Sequence, residues 1–381
     1  MEQIIPLSVP SLKGRELEYV TQAIETEWVS TGGAFIDDFE NKTAQYTQAK
    51  GAVACQNGTS GLHIALKACG VQRGDEVIVP TLTFIAAVNP VKYIGAQPIF
   101  MDCTDALTMD ADKVREFCTT QCTFSGGKLI NNKTKKQIKA VMVVHVFGEM
   151  ADMEALMRVA KEFDLRVIED ATEALGSHYV RGKYAGKHAG TIGDVGVYSF
   201  NGNKIITTGG GGMIVSNDES LLRYAKHMTT QAKVDATYFI HDEIGYNYRM
   251  TNLQAAVGLA QMEQLEGFIE IKKSNYQKYL DYGVPLMPFR EDVRSNRWFY
   301  SHISERRDAL IEHLRERRIQ ARPVWYLLHK LKPYCGNQTY AIEKAEYYWQ
   351  RIINLPCSTN LHESDIAAVC TAVNDFYQNN E

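Results

Sequence analysis

Residues 195–212 read VGVYSFNGNKIITTGGGG, and this stretch decides the fold. Its first residues form a short apolar run that ends in Ser199 and Phe200, the pattern of a buried strand. A polar turn follows, and Lys204 then precedes a run of glycines, Gly209 to Gly212. A lysine just past a strand end, among small residues, leaves room for a bulky planar cofactor to approach. Partial burial also lowers an amine's pKa, as Schiff-base chemistry requires. The glycine run is not a P-loop, because no Gly-Lys-Ser/Thr follows it. Read alone, Lys204 is equally a surface lysine, one of 41 basic residues.

Working outward, similar apolar runs occur at Gly51–Cys55, Glu76–Val79, Pro98–Met101, Ala140–His145 and Arg166–Glu169 upstream, and at Gly212–Ser216 downstream. Helical patterns lie between them at Ser60–Cys69, Phe84–Tyr93, Asp152–Phe163 and Glu219–Met228. This alternation predicts an α/β fold with a mostly parallel central sheet covered by helices on both faces. In such sheets, functional groups gather at the carboxyl ends of the strands. The pattern changes near Thr251, where Asn252–Ile271 reads as one long helix. Beyond it, charge and aromatics increase, and helices are expected at Arg306–Arg317, Ile342–Ile353 and Glu363–Gln378. The division is therefore a large domain, residues 1–255, and a smaller α+β C-terminal domain, residues 256–381.

Three further strand ends carry chemistry-bearing residues. In RVIEDATEALG, Asp170 closes a strand, where a carboxylate suits a pyridinium nitrogen; an N-cap aspartate fits the same position. In NGTSGLHIAL, a Gly/Thr/Ser turn opens a helix at Thr59 and Ser60, and helix N-termini hold phosphate well. A plain capped helix start reads identically. In PTLTFIAAV, Phe84 follows a strand end and suits the face of an aromatic cofactor or an ordinary core.

Bulk properties narrow the function classes. With 381 residues, 45% of them hydrophobic, and a net charge of −4, the chain supports a sizeable core. It carries no basic run that would mark a nucleic-acid or membrane surface; Lys133–Lys136 and Arg315–Arg318 read as solvated faces. No window is apolar enough to span a bilayer, and MEQIIPLSVPSLKG is no signal peptide, so a cytoplasmic protein is expected. The eight cysteines contain no CxxC pair and read as free thiols, with no metal site.

The order of these elements (phosphate turn, aromatic, strand-end aspartate, then lysine before glycines) matches fold-type I pyridoxal-phosphate enzymes. PLSVPSLKGRELEYV, WVSTGGAFIDDFE, HVFGEMADM, VIEDATEALGS, GDVGVYSFNGNKIITTGGGGMI and GYNYRMTNLQAAVGLAQME then make the chain similar to the DegT-type nucleotide-sugar aminotransferases over nearly its whole length. The block SFNGNKIITTGGGG most resembles the branch acting on UDP-linked 4-keto-6-deoxy-N-acetylhexosamines.

The resemblance implies a fold-type I transferase with pyridoxal 5'-phosphate as cofactor and L-glutamate as amino donor. It makes Lys204 the Schiff-base lysine and proton shuttle, and Asp170 the partner of the ring nitrogen. Thr59, Ser60 and Ser199 would hold the phosphate, and Phe84 would stack on the ring. Asn247 would reach the neighbouring subunit's site, which implies a homodimer. Trp28, Ser30, Thr31 and His329 would contact the nucleotide sugar. Glu173 departs from the Gln or His common in relatives; protonated, it suits the ring hydroxyl, and ionised, a substrate group. Three alternatives stay open on sequence: a dTDP- or UDP-linked 3-keto sugar as substrate, a cofactor-binding regulatory protein, and a nucleotide-binding protein without the cofactor.

Overall fold

The computed structural model describes residues 4–378. Its main sheet is built on strands β1 (Gly51–Cys55), β2 (Glu76–Pro80), β3 (Gln97–Met101), β4 (Gln137–Val144), β5 (Arg166–Asp170), β6 (Val195–Ser199) and β7 (Gly212–Ser216). They lie in the order β1-β7-β6-β5-β4-β2-β3. Only β7 is reversed, running antiparallel to both β1 and β6, while the other neighbours pair in parallel. The remaining six strands therefore point the same way, and their carboxyl ends share one edge.

The sheet is buried on both faces, and the period-two geometry of a strand sorts its side chains between them. Along β4, Ala140, Met142 and Val144 join one apolar cluster, whereas Val141 and Val143 join the other. Burying each such side chain stabilises the fold by about 1.5–3 kcal/mol relative to exposure. Short Val/Ile-rich runs thus become central strands, as the sequence pattern predicts. A hairpin, Cys122–Ser125 with Lys128–Asn131, adds to the start of β4.

Three helical expectations need correction. Phe84–Tyr93 is not one helix but a 3-10 turn, Ile85–Ala87, followed by a short helix, Asn89–Tyr93. Pro90, which has no N–H to donate, sits at its start. The long helix expected at Asn252–Ile271 is two, Asn252–Met262 and Leu265–Asp281. At the break the side-chain amides of Gln261 and Gln264 both donate to Glu16, and Gln264 also reaches back to the Ala260 carbonyl of the first helix. The helix expected to run to Ile353 ends at Arg351, and Ile352–Leu355 becomes a strand.

That strand is the middle of a second, antiparallel sheet, flanked by Tyr300–Ile303 and Arg322–Pro323. The apolar cluster on one face of the main sheet continues into it through Tyr300, Ile353 and Leu355. The start of the chain joins this layer too: Cys357 donates its N–H to the Leu7 carbonyl, and Val9 donates to the Ser358 hydroxyl.

Asp102, just past β3, ties the main sheet to the start of the helix Lys344–Arg351. Its fully buried carboxylate accepts from Lys113 Nζ at 2.7 Å and from the N–H groups of Glu343, Lys344 and Ala345 at 3.0, 3.0 and 2.7 Å. Burial alone would raise its pKa, but Lys113 and the backbone donors outweigh it and hold the group below the ordinary value. Asp102→Ala leaves those donors without their acceptor, so equilibrium denaturation should show a loss of about 3 kcal/mol. An unchanged midpoint would remove this anchor from the account.

Candidate active site

The shared edge of the six like-directed strands collects the residues singled out by sequence. Asp170 is the last residue of β5 and Ser199 the last of β6. Past β1, Asn57 is extended and caps the helix Gly58–Ala68, its side chain accepting the Ser60 N–H at 2.8 Å. A helix start leaves first-turn N–H groups without intrahelical acceptors, which favours an anion there. A Cβ on Gly58 would lie 2.9 Å from Ser199 Cβ and 3.1 Å from Thr172 Cγ2, so this turn packs tightly on the end of β6. The half-buried Thr59, buried Ser60 and half-buried Ser199 thus bring hydroxyls to one helix N-terminus.

Lys204 follows Ser199 by five residues, and its side chain is 13% exposed. Its Nζ is 3.5 Å from Glu173 Oε1 and 4.0 Å from the centre of the Trp298 ring. Glu173 is buried, and its other oxygen accepts the Phe147 N–H at 2.8 Å. Burial pushes its pKa up to about 7, although Lys204 and the Phe147 N–H oppose the shift.

The sign of that shift can be tested. An acid whose folded pKa exceeds its unfolded value contributes stability that is complete below the unfolded pKa and is lost as pH rises through the folded one. In the cofactor-free protein, the unfolding temperature of Glu173→Gln relative to wild type should therefore rise between about pH 5 and about pH 8. A difference independent of pH would contradict the shift.

Asp170 is 3% exposed and accepts the Thr172 N–H at 3.1 Å. Burial raises its pKa, offset in part by Thr172, Lys204 and His145. Such a carboxylate calls for a buried cationic N–H partner. Its neighbour Glu169 needs none, because it accepts from His145 Nε2 at 2.8 Å, from Gly190 and Ile192 N–H at 2.8 and 2.7 Å, and from Gly193. Burial works against the Glu169 charge, but these donors hold its pKa below the usual range. The two adjacent acids are thereby distinguished: Glu169 is satisfied by four donors inside the protein, whereas Asp170, at the strand end, accepts the Thr172 N–H.

The other sequence candidates are more dispersed. His329 Nδ1 is 2.6 Å from Thr81 Oγ1, which places the 325–329 segment past the end of β2. Phe84 is half exposed and lies 6.5 Å from Trp325, which itself packs on Phe147 at 4.8 Å. The exposed Trp28 and Ser30 are pinned by their carbonyls, which accept from Asn252 Nδ2 and N–H, both at 2.6 Å. Thr31 and Asn247 are exposed. Among the described residues no hydrogen bond or ion pair joins Trp28, Ser30, Thr31 or Asn247 to Lys204, Glu173 or Asp170.

Sequence reasoning missed Trp298 and His145. His145 ends an apolar strand as Asp170 does, so the same signal marks it. Trp298 lies in SNRWFYSHIS, where nothing local separates it from a core residue.

With the site assembled, the comparisons decide the family. The model of the DegT/DnrJ/EryC1/StrS aminotransferase family matches residues 10–374. The chain belongs to this family. It is 41% identical over 380 residues to a GDP-perosamine synthase of Escherichia coli O157:H7, covering 98% of each chain. It is 37% identical to a GDP-perosamine synthase of Caulobacter vibrioides, covering 97% of each. Among solved structures it superposes on the aminotransferase TlmJ from Streptoalloteichus hindustanus with a TM-score of 0.88 at 25% identity, over 99% of this chain and 100% of that one.

As a member, the chain is a pyridoxal-phosphate-dependent aminotransferase with the fold-type I architecture. The residues present fit the cofactor. A helix N-terminus with three hydroxyls suits its phosphate, Gly58 lets that turn close onto the end of β6, and a buried acid and a half-buried amine lie at the same edge.

Proposed function

We propose that this aminotransferase moves an amino group from L-glutamate to C4 of a nucleotide-linked keto sugar carried by GDP. The observation that carries aminotransfer is the half-buried Lys204 amine beside Glu173, on the edge where Asp170 ends its strand. The choice of GDP is supported by relatives at 35–41% identity that bear the name GDP-perosamine synthase. A UDP-linked 4-keto-6-deoxy-N-acetylhexosamine is the second reading, favoured by the resemblance of SFNGNKIITTGGGG.

When bound, the cofactor supplies an aldehyde that condenses with amines and a protonated ring that accepts the electron pair left by a departing α-proton. The protein supplies the rest. Nζ of Lys204 would hold the aldehyde at rest, would take the donor's α-proton and deliver it to the cofactor in the first half-reaction, and would carry a proton to the sugar carbon in the second. Asp170 keeps its charge against the ring nitrogen. Thr59, Ser60 and Ser199 hold the phosphate, and Phe84 covers the ring. Glu173, with a pKa near neutrality, donates to the ring hydroxyl when protonated and pairs with the Lys204 ammonium when ionised. Trp28, Ser30, Thr31 and His329 receive the nucleotide sugar.

The enzyme works as a cytoplasmic homodimer in this reading. Support comes from an exposed apolar projection, in which Tyr238, Phe239 and Ile244 are 77, 72 and 85% exposed, close in sequence to the exposed Asn247. A second copy covers it and receives Asn247 near its phosphate. The boundary between large and small domains is placed at 255/256.

The test is a paired assay: cofactor-loaded protein and L-glutamate with either a GDP-4-keto-6-deoxyhexose or UDP-2-acetamido-2,6-dideoxy-hexos-4-ulose, following 2-oxoglutarate and the amino sugar by mass. Turnover of the GDP sugar is expected. Turnover of the UDP sugar alone establishes the second reading, and turnover of neither refutes both.

A further inference from the structure

Lys204 and Glu173 are both held by a short segment far along the chain, residues 296–298. Asn296 Nδ2 donates to the carbonyls of Glu173 and Leu175, each at 2.9 Å, and its backbone N–H donates to Ser177 Oγ at 2.9 Å. Its Oδ1 accepts the Trp298 N–H at 3.0 Å, which closes a tight turn through Arg297. Gly148 is required here, because a Cβ on it would lie 2.0 Å from Asn296 Oδ1.

The indole of Trp298 then engages the lysine loop twice. Its Nε1–H donates to the Asn203 carbonyl at 2.7 Å, and its ring face lies 4.0 Å from Lys204 Nζ. The ring is 3% exposed and backed by Phe299, stacked at 4.1 Å with an interplanar angle of 25°. The Trp298 carbonyl is itself fixed by the buried Lys272 ammonium at 2.9 Å. An aromatic face attracts a cation more strongly as water is thinned around the pair, and here the ring is buried and the amine half-buried.

We propose that Trp298 is a positioning residue for Lys204: its face holds the amine as a cation whenever the lysine is released from the cofactor, and its N–H fixes the loop that returns it. The released amine thereby keeps to the Glu173 side, where it is ready to move protons. This rests on the reading of Lys204 as the cofactor-bonding lysine.

The test uses holoenzyme carrying Trp298→Leu, which removes face and N–H, and Trp298→Phe, which keeps the face alone. Lysine labelling after borohydride reduction is mapped first. Label on Lys204 in both variants shows that the underlying reading holds, and its absence in wild type would sink that reading instead. In Trp298→Leu, kcat should fall about tenfold with KM for both substrates within about twofold. The midpoint of the acid limb of the kcat–pH profile, where the released lysine acts as base, should also fall by about one unit, because a stabiliser of the cation is gone. Trp298→Phe should restore the midpoint while kcat stays several-fold low. A folded Trp298→Leu with native kcat and midpoint overturns the proposal. Where Trp298→Leu does not fold, a native kcat in Trp298→Phe does the same.

Discussion

Lys204→Ala is expected to lower turnover by at least about four orders of magnitude while leaving the fold intact. The side chain is both the group bonded to the cofactor and the base that moves the proton, so no neighbour replaces it. Glu173 is the nearest ionisable group, but it is a carboxyl hydrogen-bonded to the Phe147 N–H and cannot form an imine. The visible absorbance should vanish, and mass spectrometry after borohydride reduction should find no adduct on the chain. Lys204→Arg separates the two roles of the residue. It keeps a cation near Glu173 and Trp298 but forms no imine, and it should be as inactive as the alanine variant. An adduct on another side chain, or residual turnover above about a hundredth of wild type, would displace Lys204 from its role.

Asp170→Asn should cost on the order of 10²–10³ in kcat. The residue is buried at a strand end, and burial pushes its pKa up despite Thr172, Lys204 and His145. A bound ring nitrogen that carries a proton reverses this balance, since each charge then stabilises the other. An amide cannot hold the proton, so the ring loses its capacity to accept electrons while the shape of the site is kept. Asp170→Glu, which retains the charge, should recover part of the rate. Single-turnover measurement of the glutamate half-reaction checks both variants, and a near-native rate in Asp170→Asn would show that the ring is protonated by another group.

Much of this site was legible because its residues stand where strands stop. Asp170, Ser199 and the turn at Asn57 follow Val-rich runs, and period-two burial on two faces makes such runs recognisable. Lys204 gained meaning from its distance past Ser199. What was illegible depends on contacts distant in sequence. The helix break at 263–264 follows from Gln261 and Gln264 reaching back to Glu16. The strand Ile352–Leu355 exists because Tyr300–Ile303 and Arg322–Pro323 flank it, whereas its local pattern continues a helix. Trp298 is the same kind of case: its value lies in Asn203 and Lys204, roughly a hundred residues earlier. The hairpin at 122–131 turns on Gly126 and Gly127, both with positive φ, a local signal that went unread.

The pairing of Leu7 and Val9 with Cys357 and Ser358 has a consequence for biogenesis. On a translating ribosome the large sheet can assemble once β7 has emerged, but Leu7 and Val9 lack Cys357 and Ser358 until nearly all the chain has been made. Until then the buried cluster that joins Leu7 to Tyr300, Ile353 and Leu355 is incomplete, so the interval between residue 216 and residue 358 is when chaperones have the most to bind. Deleting the first ten residues should accordingly injure the last layer to fold, and do so as aggregation during synthesis more than as lost chemistry in the molecules that survive.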